Sequence, residues 1–227
     1  MLTGQRIAVW FSCGAASAVA AKLTLERYGE QNEVRVVNSP VAEEPADNRR
    51  FLRDCEQWLG VTIEEAVNPK WPAASAVEVW EKQLYMSGVA WAPCTLELKK
   101  NARVAWEQIN KPDWHVLGFT ADEVARHERF TRVPLPDSYA RGFDNANCIG
   151  CVKAQSPSYW QLVRENYPEA FAARAEQSRR IGARLARVRG VRVFLDELPP
   201  PPEGGWRERD LFEAVECGVF CEEPANA

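Results

Sequence analysis

Short apolar runs alternate with amphipathic segments along the first half of the chain. The runs are nearly continuous, which is typical of parallel strands covered on both faces, and the segments between them have helical periodicity. The predicted strands are Ile7 to Phe11, Val34 to Val37, Val61 to Ile63 and Val116 to Phe119. The predicted helices are Ser17 to Tyr28, Asp47 to Leu59, Ala73 to Tyr85 and one that ends at Asn110. This order predicts right-handed βαβ units and an α/β fold with a parallel sheet and helices on both faces.

A cysteine-bearing segment with different patterning follows. It contains a helix with aromatic residues, Ser158 to Ala175, and two short apolar runs around Arg189-Gly190 that predict a β-hairpin. A Pro- and Gly-rich linker, Pro199 to Gly205, leads into a terminal stretch with two cysteines. We therefore expect residues 1–145 to form the α/β domain, and residues 146–227 to form a C-terminal appendage of helix, hairpin and tail that packs on it.

The composition narrows the class of protein. The chain has 227 residues, of which 46% are apolar, enough for a core in one large domain. Its formal net charge of −4 argues against binding nucleic acid over most of its surface. No apolar run is long enough to span a membrane and the first residues lack a signal-peptide layout, so we expect a cytoplasmic protein. The seven cysteines then suggest metal or redox chemistry rather than disulfides.

The turn after the first strand has the composition of a phosphate-binding loop. Small residues let phosphate oxygens approach the backbone, serine hydroxyls add donors, and the N-terminus of the following helix favours an anion. The loop residues are Ser12, Cys13, Gly14, Ala15, Ala16 and Ser17. Asn38 and Ser39, at the end of the second strand, are expected to lie beside this loop. The alternative is an ordinary strand-to-helix turn with a serine N-cap.

Two pairs of cysteines have spacings that suit metal ligands. Cys148 and Cys151 form a Cys-x-x-Cys motif, and Cys217 and Cys221 lie near the end of the chain. Thiolates of this kind can hold zinc or an iron–sulfur cluster, which would tie the terminal segment to the rest of the chain. A redox pair at Cys148 and Cys151 is the alternative. Cys55, on the apolar face of a helix, is expected to be a core thiol.

Two stretches are rich in arginine. The segment from Arg174 to Arg192 is either a groove for tRNA, DNA or a nucleotide phosphate, or an ordinary cationic surface. The segment from Thr120 to Arg132 follows a strand and is either the rim of an anion site or a solvated, salt-bridged helix. Of the two histidines, His115 is expected to pack inside the sheet, whereas His127 lies among charged residues. Two histidines are too few for a histidine-rich metal site.

Five segments, in this order, resemble one family. The loop from Phe11 to Ser17 resembles the PP-loop of the phosphoadenosine phosphosulfate (PAPS) reductases and related adenine nucleotide alpha hydrolases. Pro93 to Lys99 resembles their Cys-Thr-x-x-Leu-Lys segment, and Gly118 to Glu123 resembles their phosphate and sulfate rim. Cys148 to Cys151 resembles the Cys-x-x-Cys of the iron–sulfur members, and Glu216-Cys217-Gly218 resembles the catalytic tail of the reductases.

The resemblance implies a Rossmann-like fold, an adenine nucleotide (ATP or PAPS) as ligand, and a 4Fe-4S cluster with zinc as the alternative. It assigns catalytic roles to Cys217, Lys99 and Arg129. The nucleotide-binding residues that it implies are Ser12, Cys13, Gly14, Ala15, Ala16, Ser17, Asn38, Ser39, Gly118, Glu123 and Arg126. The metal ligands that it implies are Cys94, Cys148, Cys151, Cys217 and Cys221.

Three functions are open on this basis. In a sulfonucleotide reductase, Cys217 would attack the sulfur of a bound phosphosulfate, and a thioredoxin-like protein would resolve the product. In an ATP-dependent sulfur transferase, AMP and pyrophosphate would form and sulfur would pass to a nucleic acid or another acceptor. The third is a nucleotide-binding protein without catalysis, because Cys13, Ala15 and Ala16 replace the Gly, Lys and Asp usual in the family's loop, and Asn38 replaces the usual acid.

Overall fold

Four parallel strands form a sheet in the computed structural model, which describes residues 3–88, 92–118, 133–202 and 206. The strands are β1 (Arg6–Phe11), β2 (Glu33–Asn38), β3 (Ile63–Glu65) and β4 (Trp114–Leu117). Their order is β3-β2-β1-β4, so β1 pairs with β2 on one side and with β4 on the other. The predicted α/β fold with a parallel sheet is confirmed. The strand order switches direction between β1 and β4, which is where such sheets bind ligands.

Helices cover both faces of the sheet. They are α1 (Ala15–Tyr28), α2 (Ala46–Leu59), α3 (Ala76–Gln83), a π-helix (Thr95–Lys100), α4 (Asn101–Asn110), α5 (Asp137–Ala140), α6 (Pro157–Asn166) and α7 (Pro168–Ile181). On one face, Val9 and Phe11 pack against α1 and α2, and Cys55 is fully buried there as the predicted core thiol. On the other face, Trp10 packs against Trp106 of α4.

The predicted aromatic helix is two helices rather than one. Tyr167 precedes Pro168 and has φ −140° and ψ 62°, because the proline ring disfavours the helical region for the residue before it. Ser156 is the N-cap of α6, and its side chain accepts a hydrogen bond from the Tyr159 N–H. Pro157 occupies the first helical position.

The hairpin predicted around residues 189 and 190 is confirmed. β5 (Ala186–Val188) and β6 (Val191–Val193) pair antiparallel, and a short 3-10 helix (Leu195–Glu197) follows. Arg189 and Gly190 have φ of 49° and 83°, as a two-residue turn with two positive φ angles requires.

A second hydrophobic core joins the segment after β2 to the C-terminal half of the described chain. It contains Trp80, Met86 and Leu98 on one side of residue 145, and Trp160 and Leu185 on the other. All five are almost completely buried. Residues on both sides of the predicted boundary therefore share one core.

Three local predictions differ from the structure. His115 is exposed on β4, the last strand of the described sheet, so the prediction that it packs inside is wrong. β3 and β4 lie two residues from their predicted positions, since register in the sheet fixes strand limits.

In the described ranges, no helix is both long and apolar enough to cross a membrane.

Candidate functional site

The loop between β1 and α1 is closed by hydrogen bonds to one buried hydroxyl. The Ser17 Oγ accepts from the Ser12 N–H at 3.1 Å and donates to the Gly14 carbonyl at 2.8 Å, and the Ser12 Oγ lies 3.3 Å away. Cys13 has φ 57°, a left-handed conformation that residues other than glycine rarely adopt. Gly14 rather than a serine is the N-cap of α1, and the first turn of α1 carries no acid. The helix end keeps its positive potential.

The carboxyl ends of three strands meet at this loop, and Asn38 lies beside it, as predicted. The Asn38 side chain is buried at the end of β2, and its Nδ2 donates to the Phe11 carbonyl at 2.8 Å and to the Cys13 Sγ at 3.7 Å. Ser39 follows and is half-buried. Gly118, directly after β4, packs so closely that a Cβ there would lie 2.6 Å from the backbone of Ala16 and Ser17. We call residues 12–17 with Asn38 and Gly118 the β1 cradle.

Lys99, from the π-helix, acts electrostatically on Cys13 of the β1 cradle. The Lys99 Nζ lies 4.0 Å from Glu44 Oε1, and both side chains are mostly buried. Burial raises the pKa of the Cys13 thiol well above its ordinary value, Glu44 raises it further and Lys99 lowers it. These effects favour the neutral thiol of Cys13 over the thiolate. Lys99 therefore places a positive charge within electrostatic range of Cys13.

The π-helix that carries Lys99 is anchored by Glu97. Its carboxylate is buried and accepts hydrogen bonds from Trp71 Nε1 at 3.0 Å, Asn101 Nδ2 at 3.2 Å and Gln83 Nε2 at 3.2 Å. The Asn68 Nδ2 donates to both the side chain and the carbonyl of Glu97. The sequence analysis missed this residue. No local pattern could have found it, because most of the partners come from distant parts of the chain.

The Cys-x-x-Cys turn is closed by a tyrosine. The Tyr159 hydroxyl accepts from the Cys151 N–H at 2.7 Å and donates to the Cys148 carbonyl at 3.1 Å. Gly150 has φ 67°, which favours glycine. The Ile149 N–H donates to the Glu43 carbonyl at 2.9 Å. The turn is thus held to the residue next to Glu44, which contacts Lys99.

A buried guanidinium lies against this turn. Arg174 is only 5% exposed, and its Nε is 3.6 Å from the position of a Cβ on Gly150. Its Cζ lies 4.3 Å from the centre of the Trp80 ring. Burial lowers the pKa of Arg174, whereas Glu43, Cys94, Tyr159 and Cys148 raise it. The structure therefore brings Cys94 and Cys148 into electrostatic range of one buried cation. We call Arg174, Cys94 and the turn from Cys148 to Cys151 the thiol cluster.

Some predicted site residues lie outside the described residues. They are Glu123, Arg126, Arg129, Cys217 and Cys221, with the rest of the segment from Thr120 to Arg132. The five described cysteines are thiols. Within the described ranges, no three His, Cys, Asp or Glu side chains come close enough together to hold a metal ion.

The basic stretch from Arg174 to Arg192 is partly inward-facing and partly neutralised. Arg174 is buried, and Arg179 pairs with Asp196 at 2.7 Å and with Glu197 at 2.9 Å. Arg180 pairs with Glu81 of α3. These three arginines are therefore not arranged as an open groove for phosphates.

The fold and the site together define an α/β protein with a loop suited to anions at the switch point of a parallel sheet. No protein-family model matches the chain, and no curated protein matches it either.

Proposed function

We propose that this chain binds an adenine nucleotide at the β1 cradle and carries out sulfur chemistry on it with cysteine thiols. The observation that carries the proposal is the link between the two sites. Glu43 accepts from the Cys-x-x-Cys turn, and its neighbour Glu44 faces Lys99. Cys94 is the N-cap of the π-helix, and Lys99 lies in the same π-helix. Thiols and an anion site in one neighbourhood are what such chemistry needs.

The nucleotide-binding half of the proposal rests on the donors of the β1 cradle. The N-terminus of α1, the Ser12 hydroxyl and the Lys99 ammonium are all suited to phosphate oxygens. The buried Ser17 hydroxyl holds the loop in shape, and the absence of a side chain on Gly118 lets β4 approach it. A turn that only caps a helix needs no positive charge, so the mostly buried lysine from the π-helix supports an anion site.

The reaction we propose first is sulfonucleotide reduction. The Cys217 thiolate attacks the sulfur of a bound phosphosulfate, so that a sulfur–sulfur bond forms and the sulfur–oxygen bond to the phosphate breaks. The nucleotide leaves with that oxygen, and Cys217 carries the sulfonate. A thiol of a thioredoxin-like protein then attacks Cys217 sulfur, sulfite leaves, and a second thiol of the reductant closes a disulfide. Lys99 would stabilise the charge that develops on the leaving phosphate.

The thiol cluster has ligands of the right type for a thiolate-bound metal, but its three cysteines do not come close enough together in the described residues to hold a metal ion by themselves. Cys94, Cys148 and Cys151 are soft ligands suited to zinc or iron–sulfur centres, and Arg174 Nε is a buried donor with no hydrogen-bond partner among the described residues. Further thiolates would have to come from Cys217 or Cys221. A 4Fe-4S cluster bound there would supply redox and sulfur chemistry, and zinc would supply only structure.

A second candidate function is ATP-dependent sulfur transfer to a nucleic acid or another acceptor. It is supported by the same buried Arg174, which lies against the Cys-x-x-Cys turn, because a cation there can stabilise an anionic sulfur species. ATP would be cleaved to AMP and pyrophosphate at the β1 cradle, with adenylation of the acceptor.

The nucleotide site is tested by calorimetry with ATP and with PAPS on three variants. We expect Ser17→Ala and Lys99→Met each to weaken binding at least tenfold (about 1.4 kcal/mol), because one opens the loop and the other removes its cation. Lys99→Arg should retain most of the affinity. The matched control is Lys82→Met, an exposed lysine of α3 paired with Glu78, which should leave binding unchanged. Wild-type protein that binds neither nucleotide would contradict the proposal.

The two reactions are separated by their products in the same preparations. Release of sulfite from PAPS with reduced thioredoxin, lost in Cys217→Ser, supports reduction. Release of pyrophosphate from ATP that depends on Ser17 and on an added acceptor supports sulfur transfer. Nucleotide binding with neither product would leave the chain as a binding protein without catalysis.

A further inference from the structure

Four arginines of the basic stretch differ from the three described above. Arg184, Arg187 and Arg189 are exposed, and Arg192 is half-buried. Within the described ranges, none of the four has a carboxylate oxygen within 4.0 Å, whereas the two surface arginines of α7 are paired with acids. Arg192 Nη1 donates instead to the Arg184 carbonyl at 3.2 Å. We call these four residues the arginine face.

The register of the hairpin places two of these charges directly opposite each other. Arg187 of β5 pairs with Arg192 of β6, while their neighbours Ala186 and Val193 pack against the second core. Like charges directly opposite on antiparallel strands destabilise the pair. A hairpin that only covered the core would not need two arginines there, so the pair indicates an anionic ligand that lies across both strands.

Arg189 is also unfavourable for the local fold. It has φ 49° at a turn position where asparagine, aspartate or glycine is preferred. The hairpin beneath it is held firmly, because the Arg187 N–H donates to the Gln155 carbonyl at 2.8 Å and Leu185 is almost completely buried. A charge that the turn disfavours, at the tip of a fixed basic surface, is typical of a functional position.

An open groove lies beside the arginine face. It has a volume of about 370 Å³ and is lined by residues 84–88 after α3, by residues 181–184 and by Arg192. Leu84 is 73% exposed, and Tyr85 lines the groove next to it. Unstacked bases pack on apolar and aromatic side chains, and arginines bind the phosphates between them. A duplex keeps its bases stacked inside, so this groove suits a single strand.

We propose that the arginine face and this groove bind single-stranded nucleic acid, with the phosphates on the arginines and a base in the groove. RNA and DNA share the phosphodiester chemistry that is recognised. The formal net charge of −4 confines such binding to a local surface of this kind. The proposal deepens the second candidate function by naming a surface for a nucleic-acid acceptor, and it rests on that function for the fate of the bound strand.

The test is fluorescence anisotropy with the full-length protein and labelled RNA and DNA strands of about 12 nucleotides, measured over a series of salt concentrations. We expect Arg187→Gln with Arg189→Asn to bind about tenfold more weakly and to reduce the slope of log K against log salt by about 1.4, because two phosphate contacts are lost. Arg189→Asn alone should weaken binding yet raise the melting temperature by about 2 °C, because asparagine suits the turn. A merely structural role would not move affinity and stability in opposite directions.

The matched control is Arg49→Gln with Arg53→Gln, which removes the same charge from two exposed arginines of α2 and should leave affinity and slope unchanged. Equal weakening in this control overturns the proposal, since net charge alone would then explain it. Wild-type protein that binds neither strand, or binds duplex DNA or phosphatidylserine vesicles more tightly than either strand, also overturns it. Calorimetry with ATP and PAPS is the independent readout: wild-type protein that binds a strand but neither nucleotide contradicts the proposed function alone.

Discussion

Gly118 is a position where a single atom decides whether the β1 cradle can form. A Cβ would lie 2.6 Å from the backbone of Ala16 and Ser17, and backbone atoms cannot move aside as a flexible side chain can. The sequence identified Gly118 only by resemblance. The physical reason for glycine, close approach of β4 to the loop, became visible only in the packed sheet.

We therefore expect Gly118→Ala to lower the free energy of unfolding by about 1–3 kcal/mol and to weaken nucleotide binding at least tenfold, because the loop must shift. Urea denaturation and calorimetry measure the two effects. The control is Gly60→Ala, where φ is 73° and no atom lies within 4 Å of the added Cβ. It should cost about 1 kcal/mol and leave the affinity unchanged. Unchanged nucleotide affinity in Gly118→Ala would show that the close approach of Gly118 to the loop is not needed for nucleotide binding.

At the scale of elements, the π-helix from Thr95 to Lys100 determines where Lys99 lies, and Glu97 holds it. Burial works against ionisation of Glu97, but hydrogen bonds from Asn101 and Trp71 and the charge of Lys70 outweigh it and lower its pKa. Short π segments often occur at functional sites. In this π-helix, Glu97 anchors the segment through Trp71 and Asn101, and Lys99, two residues later, faces Glu44.

Replacing Glu97 by alanine leaves several buried donors unpaired, so we expect a loss of about 2–4 kcal/mol in the free energy of unfolding. Glu78→Ala removes only an exposed pair with Lys82 and should cost at most about 0.5 kcal/mol. Because the folded pKa of Glu97 lies below its unfolded value of about 4.3, its stabilisation is complete above that pH and fades as pH falls through the folded pKa. Urea titrations from pH 7 to pH 3 should show the difference between wild type and Glu97→Ala shrinking. A constant difference would contradict the assignment.

At the scale of the whole molecule, the second core decides how the chain divides. Trp80 and Met86 are covered by Trp160 and Leu185, which come from beyond residue 145. The predicted boundary between residues 1–145 and 146–227 lies where the sequence pattern changes. Such a change does not show which apolar surfaces pack against each other.

We predict that a fragment of residues 1–145 does not unfold cooperatively, because the apolar surface of Trp80 and Met86 would be exposed to water. Thermal denaturation followed by circular dichroism tests this against the full chain, which should give one transition. A cooperative transition in the fragment would establish residues 1–145 as an independent domain.

The sequence by itself determined the elements that local patterns control. Continuous apolar runs determined the strands, helical periodicity determined the helices around them, and Arg189-Gly190 determined the hairpin turn. These follow from the neighbours of each residue, so they can be read along the chain. The loop of the β1 cradle and the Cys-x-x-Cys turn could be found in the same way.

The tertiary structure alone decided what comes together across the chain. It brought Lys99 to the β1 cradle, gave Glu97 its partners, turned Arg174 inward beside Cys94 and Cys148, and left His115 at the exposed edge of the described sheet. The reason is physical: burial and pairing of a charged side chain depend on which distant surfaces pack against it, and a sequence pattern records only its own side of that contact.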